Sequence, residues 1–181
     1  HLAAQAGVRY SLINPEKYVD TNIKGFFNLC EISRKNNVNK FFYASSSSVY
    51  GESNSFPLNE NDKINPKNIY GLSKKINEQM AEMYSFQSKI KFVGLRFFTV
   101  YGPWGRPDMM MMKYISSSIK NKKFELFNYG NHTRDFTYID DVTSILIKFI
   151  NKKISRHDIF NICSSKPINL KIILRKLNKH L

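Results

Sequence analysis

Apolar positions along this chain alternate between two rhythms. From Pro15 to Lys35 they fall at Val19, Ile23, Phe26, Phe27 and Cys30, the spacing of one helix face. The run NKFFYASS that follows has the length of a buried strand and ends in small residues. After a polar loop holding Pro57 and Pro66, the unit repeats. Leu72, Ile76, Met80, Met83 and Tyr84 mark one face of a helix over 70–86, and KIKFVGLRFF reads as the next buried strand. Further on come a helix near 109–118, a strand at FELFN, a helix over 138–150 and a strand at DIFNIC. A last amphipathic segment runs from Asn169 to the C-terminus. Strands alternating with helices at this spacing predict βα units and a mostly parallel sheet with helices on its faces.

Composition narrows the function classes. With 181 residues, 42% of them hydrophobic, the chain can fill one sizeable core or part of a larger one. Its apolar runs have strand length, so no membrane span and no membrane partner are expected. The opening HLAAQAGVRY has neither an initiator methionine nor the layout of a signal peptide, and is expected to continue a sequence lying upstream. Cys30 and Cys163 form neither a CxxC pair nor a disulfide framework, which suits a reducing cytoplasm. His1, His132, His157 and His180 lack metal-ligand spacing, and Asp135, Asp140 and Asp141 read as helix capping and N-terminal charge, so no metal is assigned. Met109 to Met112 read as adaptable core or pocket lining. The net charge of +14 raises nucleic acid as a partner. The lysines are spread through segments such as SRKNNVNK, IKNKKFE and INKKISRH rather than gathered in a stripe, so no nucleic-acid partner is expected.

The candidate chemistry sits where predicted strands end. YASSSSVYG follows one strand and RFFTVYGPWGRP the next, and ligands of α/β sheets bind beyond the carboxyl ends of strands. Tyr70 opens the helix between them, four residues before Lys74. A phenol with its usual pKa is ionised in only roughly one molecule in a thousand at neutral pH. A lysine one helical turn away favours the phenolate, and a serine hydroxyl can relay a proton to a bound alcohol. Ser, Tyr and Lys together suit removal of an alcohol proton as hydride leaves its carbon. No side chain accepts hydride, so a nicotinamide cofactor is implied.

The ordered segments HLAAQAGVR, YASSSSVYG, YGLSK, GLRFFTVYGPWGRPDM and RDFTYIDDV resemble the extended short-chain dehydrogenase/reductase family. Within it they are most similar to the UDP-glucuronate 4-epimerases, including CapI-type enzymes of capsule and surface-polysaccharide synthesis. The resemblance implies an incomplete Rossmann-type doubly wound parallel α/β sheet with small interleaved substrate-binding segments. Residues 1–100 would belong to the NAD-binding domain and 101–181 mostly to the substrate region, with about 134–162 returning to the first. It implies NAD as cofactor, a UDP-sugar as substrate and, for a complete chain, a homodimer.

By position, the resemblance makes Tyr70 the general base, Lys74 the ligand of the nicotinamide ribose and Ser46 the catalytic hydroxyl. Ser47 and Ser48 would face the sugar, with the register of the serine run open by one residue. Leu2, Ala3 and Ala4 would line the cofactor, and Phe97 and Phe98 the nicotinamide. Thr99 and Arg106 would lie near the sugar carboxylate and Arg134 on the UDP pyrophosphate. The implied reaction oxidises C4, turns the keto sugar and returns hydride to its other face, converting UDP-glucuronate to UDP-galacturonate. Relatives that dehydrate or decarboxylate carry acidic residues after the catalytic hydroxyl; here Ser47 and Ser48 stand there, which favours epimerisation over a dehydratase. The family's glycine-rich GxxGxxG turn is absent from these residues. The expectation is therefore a fragment truncated at the N-terminus and also at the C-terminus, the alternatives being an inactive remnant of such an enzyme and another UDP-sugar epimerase or dehydratase.

Overall fold

The computed structural model describes residues 1–53 and 56–181. In chain order come helices α1 (Val8–Ile13) and α2 (Pro15–Tyr18), a π-helical stretch at Val19–Lys24, and helix α3 (Gly25–Lys35). Strand β1 (Lys40–Ser46) leads through a 3-10 turn at Ser47–Val49 to helix α4 (Ile69–Gln87) and strand β2 (Lys91–Phe97). Strand β3 (Thr99–Tyr101), helix α5 (Met110–Ile119), strand β4 (Thr133–Tyr138) and helix α6 (Ile139–Asn151) follow. Strand β5 (His157–Ile162), strand β6 (Pro167–Asn169) and helix α7 (Leu170–Leu177) complete the order. They form two compact units, His1–Phe97 with Asn151–Ile162, and Phe98–Ile150 with Cys163–Leu181. The returning segment is thus shorter than the 134–162 expected, because β4 pairs with β3 and β6 in the second unit.

In the first unit, β1, β2 and β5 form a parallel sheet in that order, as the alternating pattern predicts. Its core joins Phe26 and Cys30 of α3, Phe41 and Tyr43 of β1, Ala81 and Tyr84 of α4, and Phe92 of β2. Phe26 meets Tyr43 edge-on at 5.2 Å between ring centres, an arrangement aromatic quadrupoles favour. Tyr43 runs across Gly94, where an added Cβ would come within 2.6 Å of the phenol oxygen. The phenol reaches His157 on β5 at 2.8 Å.

Helix α4 starts where Asn68 caps it, its Oδ1 accepting from the amide of Gly71 at 2.8 Å. Its buried face differs from the one its apolar spacing predicts. Leu72 and Met83 are 40% and 44% exposed, while Ser73, Lys74, Asn77, Glu78, Ala81, Tyr84 and Ser85 are buried. The buried polar groups are served largely by the sheet, by Asn22 and by carbonyls of α4 itself, so burial there does not follow hydrophobicity. Val19 and Phe27 of the preceding helical run are likewise exposed, whereas Phe26 and Cys30 are core.

In the second unit β4 is central, parallel to β3 and antiparallel to β6. The strand expected at FELFN does not form. Residues 121–126 are irregular, and Phe127–Gly130 make a 3-10 turn with Asn128 and Tyr129 at φ 47 and φ 49. Two successive left-handed residues break an extended strand, and both edges of β4 are already taken. Asp140 and Asp141 occupy the first turn of α6, where negative charge offsets the helix dipole. Oδ1 of Asp135 accepts from the amide and the hydroxyl of Ser164, and its Oδ2 from the amide of Lys166. Asn169 caps α7 through the amide of Lys171. None of the methionines of α5 is buried. Among the described residues no helix is long and apolar enough to cross a membrane.

Candidate active site

The strands of the first sheet end in register. Ser46, last in β1, pairs with Phe97, last in β2, which pairs with Ile162, last in β5. Two sequence-predicted residues thus become direct neighbours at the carboxyl edge of the sheet. The run of four serines divides by the pleat. Ser45 turns inward and donates to Glu78 at 2.6 Å. Ser46 accepts from the amide of Ser48 and donates to its hydroxyl, both at 3.2 Å. That bond closes the turn that carries the half-buried Ser47 and Ser48.

Tyr70 and Lys74 sit one turn apart on α4, at its start. The Tyr70 ring meets Tyr18 edge-on at 6.1 Å. Lys74 is only 3% exposed, and its ammonium donates to the carbonyl of Ala44 on β1 at 2.8 Å. Burial disfavours the charged form and lowers its pKa to about 8. Gly71, between them, lets the helix start press on the serine turn; a Cβ there would fall 2.6 Å from the carbonyl oxygen of Ser48.

Leu2, Ala3 and Ala4 follow His1, which lies along β1: its carbonyl accepts from the amide of Ala44 at 3.0 Å. Leu2 is 61% exposed and Ala3 is exposed too, leaving this short segment open at the same edge as Ser46. The segment is held from behind. Tyr18 donates to the carbonyls of Ala6 and Gly7. Asn22 accepts from the amide of Gln5 at 2.8 Å and donates to its carbonyl and to Ser73 at 3.0 Å each.

Thr99, Arg106 and Arg134 belong to the second unit. Thr99 opens β3 opposite Phe136. Nε and Nη2 of Arg106 both donate to Asp108, holding that carboxyl below its usual pKa. Arg134 is exposed on β4, donating to the carbonyl of Thr133 at 3.2 Å.

Sequence reasoning missed the polar interior behind the site. Glu78 accepts from both Nε and Nη2 of Arg96 at 2.9 Å, and Arg96 donates to Tyr50 at 2.8 Å and to the carbonyl of Glu60 at 3.0 Å. Tyr50 donates on to Asn161 of β5. One signal was available: Ser73, Asn77 and Glu78 recur on the helix face shared by Lys74, opposite the apolar positions. Asn22 gave none beyond an asparagine within an amphipathic helix.

Comparison with known proteins places this geometry. The NAD dependent epimerase/dehydratase family matches residues 1–163. The chain is 48% identical to protein CapI of Staphylococcus aureus over 156 residues, 86% of this chain and 47% of CapI. It is 39% identical to UDP-glucuronate 4-epimerase 4 of Arabidopsis thaliana over 198 residues, 100% of this chain and 45% of that protein. The solved UDP-glucuronic acid 4-epimerase from Bacillus cereus, in complex with UDP-glucuronic acid and NAD, has a TM-score of 0.92 and 35% identity, covering 98% of this chain and 57% of its own. The chain spans about half the length of the curated relatives it matches. The parallel α/β sheet read from the sequence is the Rossmann-type sheet of these structures. With 163 of its residues matched, the chain belongs to the NAD dependent epimerase/dehydratase family.

Proposed function

We propose that this chain carries the catalytic half of a UDP-glucuronate 4-epimerase that supplies UDP-galacturonate to capsule or surface-polysaccharide synthesis. The observation that carries the reading is the alignment of Ser46 beside Phe97, with Lys74 reaching the carbonyl two residues before Ser46. The likeness to CapI and to the B. cereus enzyme supports the substrate class.

The residues present fit the nicotinamide half of NAD. A buried ammonium offers three donors, of which the bond to Ala44 uses one. Small residues at Ala3 and Ala4 and the half-buried ring of Phe97 leave room for close approach. When bound, NAD would supply the hydride acceptor and donor for C4 of the sugar. Tyr70 accepts the proton of the 4-hydroxyl, and Ser46 bridges that hydroxyl to the phenol. Lys74 holds the ribose and, as a cation one turn away, favours the phenolate. Once the keto sugar has turned, Tyr70 gives the proton back. Ser47 and Ser48 face the sugar, Thr99 and Arg106 hold its carboxylate, and Arg134 pairs with the pyrophosphate, to which a planar guanidinium offers two parallel donors. Arg106 must then exchange Asp108 for substrate.

On this reading the complete protein acts in the cytoplasm as a homodimer. The free thiols of Cys30 and Cys163 suit that compartment. Tyr70→Phe in the whole polypeptide is expected to lower epimerisation of UDP-glucuronate by at least about a hundredfold, read by NMR of the sugar protons. Turnover near the parent rate would remove Tyr70 as the base.

A further inference from the structure

The ion pair behind the site lies on the same helix face as the lysine the reaction depends on. Glu78 is one turn beyond Lys74 on α4, and both side chains are buried. Residues at this spacing on a helix are neighbours, and a glutamate and a lysine so placed attract each other. Away from solvent the attraction is stronger. Yet the Lys74 ammonium goes to the carbonyl of Ala44. Both Glu78 oxygens are occupied instead: Oε1 by Ser45 and Arg96 Nε, Oε2 by Arg96 Nη2. The pair is almost fully shielded, with side chains 4% and 5% exposed. Arg96 is itself fixed by Tyr50, by the carbonyl of Glu60 and by its stacking over the Tyr50 ring at 4.8 Å.

We propose that Arg96 is a positioning residue: by filling both oxygens of Glu78 it keeps that carboxylate from drawing the Lys74 ammonium back along α4, away from the edge of the sheet where Tyr70 stands. The inference rests on the reading of Lys74 and Tyr70 given above. A lysine in its place could cover one oxygen at a time as a point charge, whereas the guanidinium fork covers both. The other titratable group packed beside Tyr70 is the phenol of Tyr18. Tyr43 of β1 and His157 of β5 stand in the field of the pair, and Glu82 of α4 acts on both of them. None of these is bonded to either oxygen of Glu78 among the contacts described.

The test reads Lys74 directly. In the whole polypeptide carrying lysine labelled with 13C at Cε, the Lys74 signal is identified by its loss in Lys74→Arg. Its titration is then followed in the parent, in Arg96→Leu and in Arg96→Leu/Glu78→Leu. The midpoint is expected to rise by about one pH unit in Arg96→Leu, where the carboxylate is unmatched, and to return to the parent position in the double variant. An unmoved midpoint in Arg96→Leu, or a double variant that stays high, overturns the proposal. If Arg96→Leu does not fold, Arg96→Lys decides: a rise in the same direction but smaller supports it, and none overturns it. Because this readout needs no substrate, failure of the parent to epimerise UDP-glucuronate would strike the functional reading alone.

Discussion

Asn22, in the π-helical stretch before α3, donates to the hydroxyl of Ser73 on α4 at 3.0 Å and clasps the backbone of Gln5 from both sides. One buried amide therefore ties the open segment Leu2–Ala4 to the helix that presents Tyr70 and Lys74. Asn22→Ala removes all three bonds and leaves the Gln5 amide and carbonyl unserved. It is expected to destabilise the fold by about 2–4 kcal/mol in urea unfolding. A loss under about 1 kcal/mol would mean that the segment holds its place without the clasp.

Lys74 makes stability depend on alkaline pH. Its pKa falls from 10.5 unfolded to about 8 folded, so between those values the unfolded state binds more protons and stability rises with pH. At 1.36 kcal/mol per pH unit, keeping this ammonium buried costs ~3 kcal/mol below pH 8, a cost lost by pH 10.5. Lys74→Met should therefore be favoured over the parent by a margin that shrinks by about that amount across this window. A margin constant with pH would contradict the buried, charged lysine.

Two glycines give a matched comparison. At Gly71 a methyl would strike the Ser48 carbonyl, whereas at Gly25 the nearest atom lies 3.7 Å off, an ordinary contact. Gly71→Ala is expected to cost about 1–3 kcal/mol and to disturb the serine turn. Gly25→Ala, in a helix, should stabilise by up to about 1 kcal/mol. Thermal unfolding of both variants checks the sign of each.

Asp135 is the anchor of the turn after β5. Its carboxylate serves Ser164 twice, Lys166 once and Thr137 once, and the turn includes Ser165 at φ 57. Asp135→Ala should lower stability by about 1–3 kcal/mol and speed hydrogen exchange at the amides of Ser164 and Lys166. Unchanged exchange there would show that the turn is held by its backbone alone.

The sequence was most readable where one physical rule dominated. The helices at α5 and α6 and strands β1, β2 and β5 follow from apolar spacing and length, and Tyr70 and Lys74 stand one turn apart at the start of α4, as their spacing predicts. It was least readable where polar groups are buried against one another. Leu72 and Met83 looked like core because periodicity registers hydrophobicity, whereas the sheet side of α4 is filled by Ser73, Lys74, Asn77 and Glu78. Their partners Ser45, Arg96 and Asn22 lie tens of residues away, a pairing no local pattern carries. FELFN failed for a different reason: Asn128 and Tyr129 take left-handed backbone angles that end an extended run, which the apolar spacing does not register.

The notch at Gly94 bears on which serine ends the strand. Ser45 to Ser48 are interchangeable in type, so the run itself would tolerate β1 sliding along β2. Tyr43 would not, because it pairs with Gly94 and lies where Val93 or Leu95 would put a side chain. The missing methyl thus works as a phase mark. It sets the strand by a phenol three residues upstream and so decides that Ser46, not Ser45, arrives at the edge.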